Sequence, residues 1–296
     1  MTDRIGLVGI GTMGAPMARC LARAGHRLCL FDIDRMATDA VAADIGGLVA
    51  ESLPDLGERC DMVVTMLPNS AIVRRAVMGT DGDPGLAAGL SAGGVIVDMS
   101  SCDPMATRTL GAELAGRGIV LLDAPVSGGL RKAVEGTLAI MLGGDDGAAM
   151  DRVEPVLTAM GTVFRSGGLG SGHATKALNN YVSAAGLAAA CEAVIAGRAF
   201  GLDPERMIEI INASTGRNNS TENKIKPFVL TGEFAKAGFA LDLMAKDLTA
   251  AADLCEELGL SLPGVMDARS LWSDASRALG KGADHTEIYR YLEGKK

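Results

Sequence analysis

Lys176, Asn180 and Ser183 lie within Gly170-Ser171-Gly172-His173-Ala174-Thr175-Lys176-Ala177-Leu178-Asn179-Asn180 and the Ala-rich run that follows to Phe200. Glycines and a serine giving way to helix formers read as a loop feeding a helix N-terminus. On a helix, positions i, i+4 and i+7 share a face. An ammonium, an amide and a hydroxyl therefore line one stripe of a segment otherwise made of Ala, Leu, Val and Gly. An unpaired buried charge is costly, so this stripe must face water, a partner or a ligand. Its composition alone does not choose among them.

A second constellation stands near the N-terminus. Arg4-Ile5-Gly6-Leu7-Val8 is a short apolar run, followed directly by Gly9-Ile10-Gly11-Thr12-Met13-Gly14. An amphipathic stretch with Met17, Leu21 and Ala24 then closes at Gly25, and a second strand-like run, Arg27–Phe31, ends at Asp32. A strand before the glycines, a helix after them and an acid at the end of the next strand are what a dinucleotide fingerprint requires. Gly9 is expected to make the tight turn, Gly11 to let the backbone approach a pyrophosphate and Gly14 to let helix and strand pack. Thr12 and Met13 complete the turn at a helix N-terminus, where N–H groups and positive potential favour phosphate. Asp32 can accept from ribose hydroxyls and would repel a 2′-phosphate, and Ile33 rather than a basic residue follows it. NAD is expected over NADP, with Arg35 the residue able to reach back and admit NADP. Leu67-Pro68 and Ser100-Ser101 end the third and fourth strand-like runs, where strand ends line the ligand crevice. Ordinary strand-end turns would look the same.

Two further stretches carry polar groups that could meet a substrate. Asp123-Ala124-Pro125-Val126-Ser127-Gly128-Gly129 ends a fifth run in a turn with backbone N–H groups and one hydroxyl. Such a turn either cradles a carboxylate or simply reverses the chain. Lys246 lies within Gly238–Leu248 on a Leu- and Ala-rich helix, where a snorkelling surface lysine and a ligand-facing one look alike.

The elements that must position these groups are those of an ordinary soluble chain. Its 296 residues are 48% hydrophobic and 22% charged, enough for one large or two ordinary domains. The net charge of −8 and pI near 5.0 argue against a nucleic-acid or anionic-membrane partner, so an anionic substrate needs locally placed cations. Six scattered cysteines show no paired spacing, which predicts free thiols in a reducing, cytoplasmic setting and no metal site. The N-terminus enters a strand almost at once, leaving no room for a signal peptide. The apolar stretch 184–201, interrupted by Glu192 and Arg198, reads as a core helix rather than a membrane span.

Strand-like runs at 62–67, 95–99, 119–124, 138–142 and 163–165 alternate with helical stretches at 70–78, 105–117 and 148–160. That alternation predicts parallel strands joined by crossovers. Beyond Gly172 the strand signals stop. Helices are expected at about 173–200, 204–214, 240–258, 264–279 and 285–293, with Asp203 as an N-cap before Pro204. The expected architecture is an α/β NAD-binding domain over 1–165 and an all-helical substrate and oligomerisation domain over 166–296. The Lys176 helix joins them.

In this order, Gly9–Leu21, Asp123–Gly129, Gly170–Asn180 and Phe239–Leu248 resemble the β-hydroxyacid dehydrogenase family, to which the 3-hydroxyisobutyrate dehydrogenases and tartronate semialdehyde reductases belong. The resemblance spans essentially the whole chain and implies a Rossmann-type domain, a helical domain and an active site between them. By that resemblance Lys176 is the catalytic lysine, and Asn180 and Ser127, with Gly128 and Gly129, hold the substrate. Lys246 stands near cofactor and substrate, and Ser101 contacts the nicotinamide side. A homodimer or homotetramer is implied as well.

The chemistry of the residues agrees. Hydride transfer from an alcohol needs a group to take the hydroxyl proton, and the reverse reduction needs the same group to return it. A lysine does so near neutrality when burial and a neighbouring cation bring its pKa down from about 10.4. The polar segment Ser214–Lys224 has Asn and Ser where some relatives carry a tryptophan, which suggests a hydroxylated substrate, with Arg217 facing a second anionic group or the whole segment forming a solvated loop. The expected function is NAD-dependent oxidation of a small 3-hydroxycarboxylate, or reduction of its semialdehyde. The alternatives are a non-catalytic dinucleotide-binding module and a reductase of the same family acting on a sulfonate or imine.

Overall fold

Apolar runs such as Ile5-Gly6-Leu7-Val8 and Val95-Ile96-Val97-Asp98 are buried along their whole length, as parallel strands covered on both faces require. The computed structural model describes residues 3–294. Its strands, numbered in chain order, are β1 Ile5–Val8, β2 Leu28–Phe31, β3 Leu48–Val49, β4 Met62–Thr65, β5 Gly79–Thr80, β6 Asp83–Pro84, β7 Val95–Asp98, β8 Val120–Asp123, β9 Val126–Ser127, β10 Leu138–Gly143 and β11 Gly161–Gly167. Nine of them form one sheet in the order β11-β10-β8-β7-β4-β1-β2-β3, with β9 beside β10, while β5 and β6 make a small separate hairpin.

Along the sheet path β3-β2-β1-β4-β7-β8 every pairing is parallel. The sheet is parallel-dominated as expected, with one departure: β10 meets β8 and β9 antiparallel. After Asp123 the chain turns back through β9 and a short helix, Gly129–Glu135, instead of making a full crossover. A strand that returns without a crossover runs against its neighbour.

Helices Gly14–Arg23, Ser70–Met78, Pro104–Ala115 and Gly147–Leu157 pack on this sheet together with Arg35–Ile45 and Leu53–Arg59. The last two are marked by their caps. Asp34 accepts from the Ala37 amide and Ser52 from the Asp55 amide. Alternate side chains of the central strands feed the two faces. Leu7, Val64 and Val97 join Met17 and Leu21 on one side, and Val8, Val63 and Ile96 join Leu56 and Leu114 on the other.

Two compact units result, residues 1–176 and 177–296. The helix Ser171–Phe200 starts in the first and continues into the second, where Pro204–Asn212, Asn219–Asn223, Leu241–Glu257, Pro263–Leu279 and Ile288–Glu293 follow. Asp203 caps its helix as expected, accepting from the Arg206 amide at 2.8 Å. Ser171–Phe200 is long and apolar enough to cross a membrane by composition alone. Here Ala184, Leu187, Cys191 and Val194 of that helix enter a core with Ile208, Leu248, Trp272 and Ile288.

Candidate active site

The Gly-rich turn is built by three glycines with different tasks. Gly9 has φ of +97°, and a Cβ there would run into the Met66 carbonyl. A Cβ on Gly14 would run into the Gly9 carbonyl, so the helix start can lie against the turn only with glycine at 14. Gly11 is different, with nothing within 4 Å of where its Cβ would be. Neither fold nor φ demands glycine at 11, so the open space above it is room for a ligand to reach the backbone. Thr12 is exposed and Met13 half-buried at the head of the helix Gly14–Arg23. Asp32, at the end of β2, accepts from the Ile10 amide at 2.6 Å and from the Asp34 amide at 2.9 Å. Each of its oxygens keeps a further lone pair, so it can both hold the turn and accept from a ribose. Arg35 is turned to Asp39 at 2.9 Å and to Glu51 at 3.3 Å, and Ile33 is exposed. These groups suit a dinucleotide with a free ribose 2′-hydroxyl.

Ser100 ties the ends of β4 and β7 together. Its hydroxyl accepts from the Leu67 amide at 2.9 Å. Leu67 in turn lies near the Cβ position of Gly9, so strand end and Gly-rich turn are adjacent. Beside them Pro68 is exposed and Ser101 half-buried. Ser127, in β9, pairs with Ala139, and the exposed Gly128 and Gly129 follow with φ of +136° and +67°.

The start of the Lys176 helix is fixed by groups far away in sequence. The buried Asp123 carboxylate accepts from the Gly170 amide and the His173 amide, each at 2.8 Å. Both donors are among the first amides of the helix, which lack partners within it. A carboxylate there also meets the positive end of the helix dipole. Ser171 Oγ is 2.8 Å from Ser166 Oγ, which donates to the Leu142 carbonyl. His173 is buried with Nε2 3.1 Å from the Ser100 carbonyl and Nδ1 2.8 Å from Thr107 Oγ1. A carbonyl only accepts, so Nε2 carries a proton. Asp98 lies 3.8 Å from that nitrogen and accepts from Thr65 Oγ1 at 2.8 Å. Lys176, one turn beyond His173, is half-buried.

In the second unit Asn180 and Asp247 are both buried, and Asn180 Nδ2 donates to Asp247 Oδ2 at 2.5 Å. Lys246 Nζ lies 3.3 Å from the other oxygen of Asp247. Two of the sequence-selected residues, Asn180 and Lys246, are thus joined through one that sequence reasoning did not select. Asp123 and His173 were likewise passed over. Their signal was weak: each is an acid or imidazole inside an otherwise apolar or glycine-rich motif.

The polar segment 214–224 is largely occupied with itself. Asn218 accepts from the Ser220 and Thr221 amides, and Thr221 Oγ1 accepts from the Asn218 amide, a capping box for Asn219–Asn223. Arg217 pairs with Glu222 at 3.7 Å. Lys224 Nζ is 2.6 Å from His285 Nε2, and His285 Nδ1 faces the Phe239 carbonyl and Asp284 Oδ1, each at 3.0 Å. Burial pushes the Lys224 amine below its ordinary range. Burial also pushes the Asp284 carboxyl up, but hydrogen bonds from His285 and from the Thr286 hydroxyl and amide outweigh it and hold it down at about 2. Phe239 precedes the Lys246 helix, so this node braces that helix's approach.

The chain is similar to known proteins along nearly its whole length. Residues 4–168 match the family model described as the NAD binding domain of 6-phosphogluconate dehydrogenase. Residues 170–292 match that described as NAD-binding of NADP-dependent 3-hydroxyisobutyrate dehydrogenase. A 2-(hydroxymethyl)glutarate dehydrogenase of Eubacterium barkeri is 37% identical over 282 residues, 95% of this chain and 91% of its own. An NAD-dependent L-serine dehydrogenase of Pseudomonas aeruginosa is 36% identical over 276 residues, 91% of each chain. The solved structure of Mycobacterium tuberculosis 3-hydroxyisobutyrate dehydrogenase with L-serine matches with a TM-score of 0.88 at 33% identity, covering 99% of both chains.

Proposed function

The chain belongs to the β-hydroxyacid dehydrogenase family, and from that premise we propose that Lys176 is its general acid–base, working on a small 3-hydroxycarboxylate. It is an NAD(P)-dependent oxidoreductase of small hydroxy acids. When bound, the nicotinamide supplies the hydride acceptor for oxidation and the donor for reduction. Lys176 takes the proton from the substrate hydroxyl as the carbon gives up hydride, and returns it to the carbonyl oxygen in the reverse direction. Ser127 with the N–H groups of Gly128 and Gly129 holds the carboxylate. Asn180, its amide oriented by Asp247, directs a hydrogen bond to the hydroxyl or carboxylate, and Lys246 adds positive charge. Gly9, Gly11, Thr12, Met13, Gly14, Asp32, Leu67, Pro68 and Ser101 form the cofactor side.

The observation that carries this reading is the anchoring of the Lys176 helix by Asp123. A proton-transfer group must be held to a fraction of an ångström, and this helix start is tied to β8 by two short buried hydrogen bonds. The pairing of Arg35 with Asp39 and Glu51 favours NAD over NADP. The buried free cysteines fit a reducing, cytoplasmic setting. Exposed Leu178, Val182 and Phe200 on the long helix fit a homodimer or homotetramer, to be checked by light scattering.

The test is Lys176→Ala, followed by NADH absorbance against a panel of 3-hydroxy acids and by NAD titration. Turnover should fall by roughly 10²–10⁴-fold with NAD affinity kept within about threefold. Loss of turnover and NAD binding together would make Lys176 a cofactor-holding or structural residue.

A further inference from the structure

Gly128 and Lys132 are fitted to each other. At φ of +136° Gly128 occupies backbone space that side-chain-bearing residues rarely enter. A Cβ built there would stand 2.6–3.1 Å from Cδ, Cβ and Cγ of Lys132. The lysine stem therefore lies where a side chain at 128 would be, folded along the Ser127-Gly128-Gly129 turn. Lys132 is half-buried and its neighbour Arg131 is exposed.

Neither cation has an ion pair among the described residues. Elsewhere in this unit Arg4, Arg19, Arg59, Arg74, Arg152 and Arg165 each hold a carboxylate. In a chain of net charge −8, carboxylates are not scarce. Two adjacent cations without a counter-ion repel each other, and an anion placed between them and the turn relieves that repulsion. The helix bearing them is fixed at its other end. The buried Ala133 accepts from Cys20 Sγ at 3.3 Å through its carbonyl, and the Val134 carbonyl accepts from Arg23 Nη2 at 3.1 Å. Both donors belong to the helix Gly14–Arg23 that opens the Gly-rich turn.

We propose that Lys132, assisted by Arg131, binds a second acidic group of the substrate, so that the preferred substrates are 3-hydroxycarboxylates bearing a distal carboxylate. The inference rests on the reading of the Ser127–Gly129 turn as the seat of the first carboxylate. With that group on the turn, a lysine whose stem lies against Gly128 can offer its ammonium to another one further along the molecule. A partly buried ammonium with a desolvated stem recognises a carboxylate more strongly than a fully solvated one, and salt weakens the pair.

The test compares 2-(hydroxymethyl)succinate with 2-(hydroxymethyl)butanoate. Both are 3-hydroxy acids, and they differ only in ending their side arm with carboxylate or methyl. With NAD, the wild-type enzyme should favour the diacid in kcat/KM by about 10- to 30-fold, chiefly through KM. Lys132→Met should bring the ratio close to one, Lys132→Glu below one, and Lys132→Arg should keep most of the preference. Circular dichroism confirms that each variant is folded. A wild-type ratio at or below one overturns the proposal, as does a Lys132→Met variant that loses both acids equally, since the lysine then serves the first carboxylate. Turnover of the butanoate without preference sinks this inference and leaves the enzyme reading standing. Turnover of neither acid, nor of any other 3-hydroxy acid, removes both.

Discussion

The main-chain amide of His173 lies 2.8 Å from Oδ2 of Asp123, across 50 residues of sequence. With the Gly170 amide on the other oxygen, one buried carboxylate closes the N-terminus of the helix that presents Lys176. Asp123→Ala leaves two buried amides without acceptors. It should destabilise the first unit by about 2–4 kcal/mol, read from urea unfolding. Asp123→Asn keeps one acceptor and sets an NH2 group against an amide donor, so it should fall between. In both variants kcat should drop more than KM rises, because the misplaced group acts on the transition state. An unchanged kcat in folded Asp123→Ala would show that this cap does not position Lys176.

The glycines of the turn divide into two classes with opposite signatures. Gly14→Ala forces a side chain against the Gly9 carbonyl and should lower the melting temperature of the ligand-free protein. Gly11→Ala meets open space and should leave that temperature within about 2 °C while weakening NAD binding more than tenfold. Calorimetry with an NADH fluorescence titration checks both. Equal destabilisation by the two substitutions would mean that Gly11 serves the fold.

Local features were readable from sequence because a local rule writes them. The turn from Gly9 to Asp32, the Asp203 cap, the run of helices after Gly172 and the helical spacing of Lys176 and Asn180 each follow from a period or a fixed offset. The antiparallel entry of β10 leaves no such trace, since its cause is the shortness of the connection through Gly129–Glu135 rather than the strand's own pattern. Asp123 and Asp247 escaped for the same reason. Their partners lie 50 and 67 residues away, and nothing in a linear pattern marks a carboxylate as buried. The polar segment 214–224 reads in sequence either as a substrate-facing stretch or as a solvated loop, and the structure engages its Asn218 and Thr221 in a capping box.

Asp247 fixes which way Asn180 points. A carboxylate only accepts, so the Asn180 NH2 group must face it, and the Asn180 carbonyl oxygen accepts from Asn179 Nδ2 at 3.1 Å. Asp247→Ala frees that amide to flip and takes the carboxylate from Lys246. It should lower kcat/KM by roughly 10- to 100-fold and cost about 3 kcal/mol of stability. Asp247→Asn should preserve more stability than activity. Steady-state kinetics alongside unfolding curves separate the two effects, and loss of stability alone would leave Asn180 outside the substrate contacts.

The Asp284 node sets the acid limit of the second unit. Its carboxyl is held at about 2, against an ordinary value of 3.8. A depressed carboxyl binds fewer protons in the folded than in the unfolded chain, so its contribution is fully present above about pH 4 and is lost as pH falls toward 2. The size is ~2 kcal/mol. Lys224 works at the other end. Its burial-lowered amine makes the unfolded chain bind more protons in the window below 10.5, so stability rises with pH there. Asp284→Asn should remove part of the acid slope between pH 4 and 2, and Lys224→Met should flatten the alkaline rise. Unfolding free energies across pH measure both, and an Asp284→Asn profile parallel to wild type through the acid window would place the acid sensitivity elsewhere.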